Sequence, residues 1–331
     1  MSVATGVGSW PGDDAEAYAE AVRVALGELP DLPHLPELPG RGAGAGLTGR
    51  AVAMVGDLAF DLQPAGWRLT DRPGMDQRRA RSLLGQDLDQ LEEQAQELTG
   101  ELKVQVCGPW TLAATVEKPR GDKVLSDHGA RRELAQALAE GVAAHLADVR
   151  RRVGGARVVV QLDEPMLPAV LGGGVPTASG FGKHRAVHPP EASAALEWVL
   201  AAAGEEPWVH SCAPDVPWQL LRGAGARGLS GDLSLLGPGD LDVFAEALEA
   251  GERVALGVVP STDPATPPTE TSLTEQVLRT LDLFGLDPDA VSDRLVVTPT
   301  CGLAGASPGW ARRAVELSRV VAGNLSASRA G

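Results

Sequence analysis

Cysteine, tyrosine and positive charge are all scarce in this chain of 331 residues. Its three cysteines, Cys107, Cys212 and Cys301, are too few, too odd in number and too widely spaced for a disulfide framework. They are expected as free thiols, either core fillers, metal ligands or nucleophiles. Lys and Arg number 29 against 44 Asp and Glu, a formal net charge of −15. That balance excludes the concentrated basic face that nucleic acids and anionic membranes require. The cluster of Arg78, Arg79 and Arg81 reads as a solvated helix face. No apolar run reaches the roughly 18 residues of a membrane span, and the opening MSVATGVGSWPGDD has no basic start or apolar stretch of a secretory signal. A cytoplasmic, soluble chain is expected. Also missing are the GxGxxG and GxxxxGK phosphate loops and the GxSxG serine elbow, which disfavours nucleotide binding and serine hydrolysis.

What is present is a globular composition, 44% apolar and 22% charged. A chain of this length buries about 75% of its unfolded surface without staples. Short β-branched runs, at 103–109, 157–165, 207–214, 253–260 and 294–302, each end in Gly, Pro or a polar residue. Weaker candidates are 4–11, 32–39 and 227–234, while 51–58 reads as helix. Apolar residues at helical spacing mark 13–27, 128–153, 191–203, 239–250, 271–285 and 308–323. Near-continuous apolar strands alternating with helices predict a parallel sheet, and eight such units predict an α/β fold of the (β/α)8 TIM-barrel type. A single domain, 1–331, is expected, with long Gly- and Pro-rich loop insertions at 62–80 and 171–190.

The residues with the richest chemistry fall at predicted strand ends. His210 and Cys212, two apart in a strand, point to the same side, and Cys301 ends another strand. Imidazole and thiolate are zinc ligand types, and three protein ligands plus an open position describe a catalytic zinc site. The same residues serve equally as two buried hydrophobes and a satisfied core histidine. Asp232 offers an oxygen ligand or a helix cap. In Asp163-Glu164-Pro165 only one of the two adjacent carboxylates can face inward, to bind an ammonium group or act as a base, while its neighbour supports the loop. Gly6-Val7-Gly8-Ser9-Trp10-Pro11 lets backbone N–H groups approach a carboxylate closely.

Four motifs, VGSWP (7–11), QLDEP (161–165), HSC (210–212) and TPTCGL (298–303), resemble in order and spacing the catalytic C-terminal barrel of the cobalamin-independent methionine synthase family. The resemblance implies a TIM barrel of the uroporphyrinogen-decarboxylase and methionine-synthase-like group. It implies a methyltransferase of methionine biosynthesis in which a zinc-bound homocysteine thiolate takes a methyl group from a 5-methyltetrahydrofolate-type donor. Zn2+ is then the cofactor, with His210, Cys212 and Cys301 as ligands and Asp232 at the position of the family's fourth, a glutamate. Gly8 and Ser9 match the turn that holds homocysteine, Asp163 matches the carboxylate that takes its amino group, and Glu37, in LPHLPELP, resembles the glutamate that also contacts the amino acid. Where the family has a histidine proton donor the chain reads GVVPSTDP (257–264), and Asp263 is the candidate substitute. The family's long members add a second barrel for the polyglutamyl folate, and 331 residues hold only the catalytic one. The expected partners are small molecules, homocysteine and a methyl donor, with no nucleic acid and no membrane. Two alternatives stay open: a zinc-dependent thiol alkyltransferase using methylcobalamin or a corrinoid protein partner, and a metal-free relative of uroporphyrinogen decarboxylase.

Overall fold

A computed structural model of the chain describes residues 1–327. In chain order the first third forms β1 (Val3–Ala4), α1 (Ala15–Glu28), α2 (Leu47–Met54), β2 (Ala59–Gln63), β3 (Gly66–Thr70) and α3 (Met75–Gln94). There follow β4 (Gly100–Cys107), α4 (Pro109–Thr115), α5 (His128–Arg152), β5 (Ala156–Asp163), α6 (Leu167–Leu171) and α7 (Pro189–Ala203). The last part comprises β6 (Trp208–Ser211), α8 (Trp218–Gly223), β7 (Gly228–Asp232), α9 (Pro238–Glu249), β8 (Arg253–Val259), α10 (Glu270–Phe284), α11 (Pro288–Val291), β9 (Leu295–Pro299) and α12 (Pro308–Ala327). Caps fix several of the helices. Asp14 accepts from the Ala17 N–H at 2.8 Å, Asp127 from that of Ala130 at 3.0 Å, and Thr269 with Ser272 forms a capping box that starts α10. Gly285, at φ 68°, ends it in the left-handed region.

Seven strands make one parallel sheet in the order β1-β9-β8-β7-β6-β5-β4, so this is an α/β fold with a curled parallel sheet. The two faces of the strands belong to different cores. Val160, Leu162, Val209, Leu229, Leu256 and Val297 pack into the large cluster shared with the helices. Val159, Trp208, Ala255 and Val296 alternate with them and form a separate cluster with Leu32 on the concave side. That split is the period of two expressed on a sheet covered on both faces.

Three expectations change. The proline-rich segment 32–39 is not a regular strand, because prolines at 33, 36 and 39 cannot donate to a ladder. It makes isolated parallel bridges instead: His34 opposite Lys103 of β4, and Glu37 opposite Ser9. The Leu35 N–H donates to Lys103 O at 2.8 Å on one side, and the Glu37 N–H to Gly8 O at 3.1 Å on the other. The segment thus sits between the two edges of the sheet. Residues 62–80 are not a loop insertion but the antiparallel β2–β3 hairpin and the first turns of α3. Arg81 of that helix is not solvated: its guanidinium donates to the carbonyl oxygens of Ala53 and Val55 at the end of α2. Residues 172–188 do run as an irregular connection between α6 and α7. Among the described residues no helix is long and apolar enough to cross a membrane.

Candidate active site

Parallel register aligns the strand ends. Cys107 of β4 stands opposite Asp163 of β5, Asp163 opposite His210 of β6, and His210 opposite Ser230 of β7. Neighbouring register explains why His210 Nδ1 lies 2.9 Å from the Ser230 hydroxyl oxygen. Its other ring nitrogen, Nε2, is buried without a partner among the described residues. Ligand atoms of His210, Cys212 and Cys301 all lie within 4.8 Å of one another. Burial pushes the His210 imidazole down to about 3, so the ring is neutral at physiological pH. A neutral imidazole with one nitrogen anchored and the other free beside two sulfurs is the donor set of a metal site. The residues fit zinc.

The cysteines depart from expectation. Cys212 and Cys301 are joined in a disulfide, where free thiols were expected; only Cys107 is a free, buried thiol, filling the core as the sequence suggests. Close approach of the two sulfurs follows from β6 and β9 delivering both to one point, and the same proximity serves a disulfide when oxidised and a dithiolate when reduced. Asp232 is not part of this group: it ends β7 and caps the following turn, accepting from Ser234 N–H at 2.9 Å and Ser234 O–H at 2.7 Å.

Beside the group lies a cleft of about 230 Å³, whose walls include Ser9, Glu37, Gln105, Asp163 and His210. Asp163 and Glu164 divide as expected. Asp163 faces the cleft, and Glu164, fully buried, turns away to accept from the Trp110 and Thr111 N–H groups and the Thr111 hydroxyl, capping α4. Gln161 Nε2 donates to Asp163 at 2.8 Å, while its Oε1 accepts from Lys103 Nζ at 2.9 Å. Lys103 and Gln161 both donate to the Val7 carbonyl, which anchors the first motif. Burial pushes the Asp163 carboxyl up and the Lys103 amine down, so the two compete for a proton beneath the cleft.

Glu37 is 4% exposed; burial raises its carboxyl, and Arg50, 3.3 Å away, opposes that rise. Arg50 in turn binds Asp87, which Arg41 grips bidentately, both at 2.8 Å. Ser9 meets the Cys301 turn: its carbonyl accepts from the Leu303 N–H at 2.8 Å. A side chain at Gly302 would collide with Ser9, which gives the glycine of the TPTCGL motif its reason. Asp263 stands apart, exposed, its carboxyl held low by hydrogen bonds from the Ser307 hydroxyl and N–H.

Sequence reasoning passed over Lys103, Gln105, Gln161 and Arg50. For three of them a signal existed: polar residues at alternate positions of otherwise apolar strands, KVQVC and RVVVQLD, mark a side chain aimed at a polar interior.

Residues 99–324 match the family described as cobalamin-independent synthase, catalytic domain. The chain belongs to that family. Asp163, His210, Cys212 and Cys301 fall inside the matched region, whereas Gly8, Ser9 and Glu37 precede it. No curated protein matches the chain. Among solved structures, a B12-independent methionine synthase from Shewanella sp. W3-18-1 in complex with selenomethionine is similar over 98% of both chains, with TM-score 0.64 and 13% identity. At that identity the likeness concerns the fold. A GH5_18 protein from Streptomyces cattleya in complex with GlcNAc, 15% identical, covers all of this chain and 81% of its own at TM-score 0.48, too slight a likeness to bear on chemistry.

Proposed function

We propose that this family member transfers a methyl group to the thiol of homocysteine, forming methionine, with zinc held by His210, Cys212 and Cys301. The observation that carries the reading is the buried, unpartnered His210 Nε2 beside two cysteine sulfurs, sharing one cleft with Glu37 and Asp163. Zinc bound there would convert a substrate thiol to its nucleophilic thiolate at neutral pH. In the transfer the S–CH3 bond forms as the donor's bond to that methyl breaks, and the thiol proton ends on the donor.

The chain's own residues supply orientation and charge. Ser230 fixes the imidazole so that a single nitrogen faces the sulfurs. Glu37 and Asp163 take the ammonium group, and the turn at Gly8 and Ser9 offers space and a hydroxyl to the carboxylate. Asp232, which caps its own turn through Ser234, is given no place in the ligand set. We assign Asp263 to anchoring Ser307 at the start of α12 and give it no part in proton transfer. The seven-strand sheet together with segment 32–39 supports one catalytic (β/α)8 barrel, its second strand reduced by prolines to two bridges.

The test is turnover of homocysteine by the reduced, zinc-loaded protein with a methylated folate or methylcobalamin as donor. Methionine from the folate alone is the expected result. Methionine from methylcobalamin alone would reassign the donor, and absence of methionine with every donor would overturn the proposal.

A further inference from the structure

We propose that Gln105 determines the specificity of the cleft for amino-acid thiols, its Oε1 accepting a hydrogen bond from the substrate's ammonium group beside Glu37 and Asp163. This rests on the reading of the cleft as the homocysteine site.

Gln105 is 1% exposed and lines the cleft from the inner face of β4, opposite Gln161. Its Nε2 donates to the Leu35 carbonyl and, at 3.0 Å, to Glu37 Oε1. Those two acceptors consume both amide hydrogens and settle the orientation of the group, since the reverse would set oxygen against oxygen twice. Oε1 is thereby left as the free end, and it is buried with no partner among the described residues. A buried carbonyl oxygen without a donor is costly, and a ligand that brings a donor removes that cost.

The neighbouring groups say which donor. The side chains of Glu37 and Asp163 line the cleft with Gln105, and both are acceptors when ionised, so three acceptor groups gather here. An ammonium group carries three N–H donors and one positive charge, matching both the count and the sign. The backbone is shaped around the amide: a Cβ at Gly8 would lie 2.7 Å from Gln105 Cγ and 3.0 Å from its Nε2. Any other residue at position 8 would push the amide out of place.

The experiment is calorimetric titration of the reduced, zinc-loaded protein and its Q105L and Q105M variants with homocysteine and with 4-mercaptobutyrate, the same thiol acid without the amine. A hydrogen bond to a charged group predicts roughly tenfold to hundredfold weaker homocysteine binding in both variants. Binding of 4-mercaptobutyrate should stay unchanged, which also shows the variants folded. Repeating Q105L in an E37Q background should still weaken homocysteine; no further loss there would reduce Gln105 to a support for Glu37 and overturn the proposal. Equal losses for both thiols, or none, overturn it as well. Failure of the unaltered protein to bind homocysteine at all would instead remove the assignment of the cleft, and this proposal with it.

Discussion

Replacing Glu164 by Gln tests whether burial or hydrogen bonding governs the carboxylate that supports the site. Gly108, at the N-cap of α4, gives the helix no side-chain cap, so the Trp110 and Thr111 amides depend on Glu164. Gln keeps one oxygen for the Trp110 N–H and turns an NH2 group toward the Thr111 N–H. One buried donor is left unsatisfied, at a cost of about 1–3 kcal/mol. The pH dependence is sharper. Burial raises the Glu164 carboxyl from its ordinary 4.5 to about 7, in spite of the three donors around it. A folded-state value above the unfolded one means that the carboxyl's contribution is complete below pH 4.5 and is lost as pH rises through about 7. A shift of that size corresponds to about 3 kcal/mol. Gln cannot titrate and loses nothing. The penalty of E164Q should therefore shrink by about 2–3 kcal/mol between pH 5 and pH 8, read from urea unfolding of both proteins at matched m-values. A penalty that holds constant or grows toward pH 8 would show that the donors keep Glu164 ionised, and would refute the dominance of burial.

Metal uptake should depend on the oxidation state of one pair of sulfurs. Reduction of the Cys212–Cys301 bond by a dithiol frees two thiols; about one zinc per chain should then bind, with far less on the oxidised protein and on reduced C301S, by elemental analysis alongside thiol titration. Reduced wild-type protein that stays metal-free in the presence of zinc would sink the metal assignment. Gly302→Ala, whose Cβ would come within 3.2 Å of Ser9 Cβ and closer still to its hydroxyl, should cost about 1–3 kcal/mol in thermal unfolding. It should weaken homocysteine binding while sparing zinc uptake; unchanged binding would detach Ser9 from the substrate.

The residues of the candidate site were legible because they are rare types at strand ends: a histidine and a cysteine two apart, a second cysteine before glycine, and adjacent carboxylates before proline. Strand period alone correctly forecast that Asp163 and Glu164 would part company. What could not be read was the outcome of competing partners. Asp232 has the same side chain whether it binds a metal or caps a turn, and only the position of Ser234 decides in favour of the cap. The segment 32–39 has apolar residues enough for a strand, but its prolines remove the donors that a ladder needs, so it survives as isolated bridges. Helix α3 escaped notice because its apolar positions are diluted by charge; its buried face includes Gln77 and Asp87, each satisfied by partners distant in sequence.

The cleft is assembled from three stretches of chain, residues 7–47, 105–165 and 210–302. The sulfur and imidazole come from residues 210–301, at the ends of strands inside the region that defines the family, while Ser9 and Glu37 come from the first fifty residues. Hydrogen bonds join them: the Leu303 N–H to the Ser9 carbonyl on one side, and the Lys103 amine and the Gln161 amide to the Val7 carbonyl on the other. Glu37 and Asp163 share this buried space with two cations: Arg50, 3.3 Å from Glu37, and Lys103, whose amine reaches Asp163 through Gln161. A thiol without an amine brings no donor for the acceptors of Glu37, Gln105 and Asp163. Discrimination among thiols should thus arise away from the sulfur, in the part of the cleft that Glu37, Gln105 and Asp163 build.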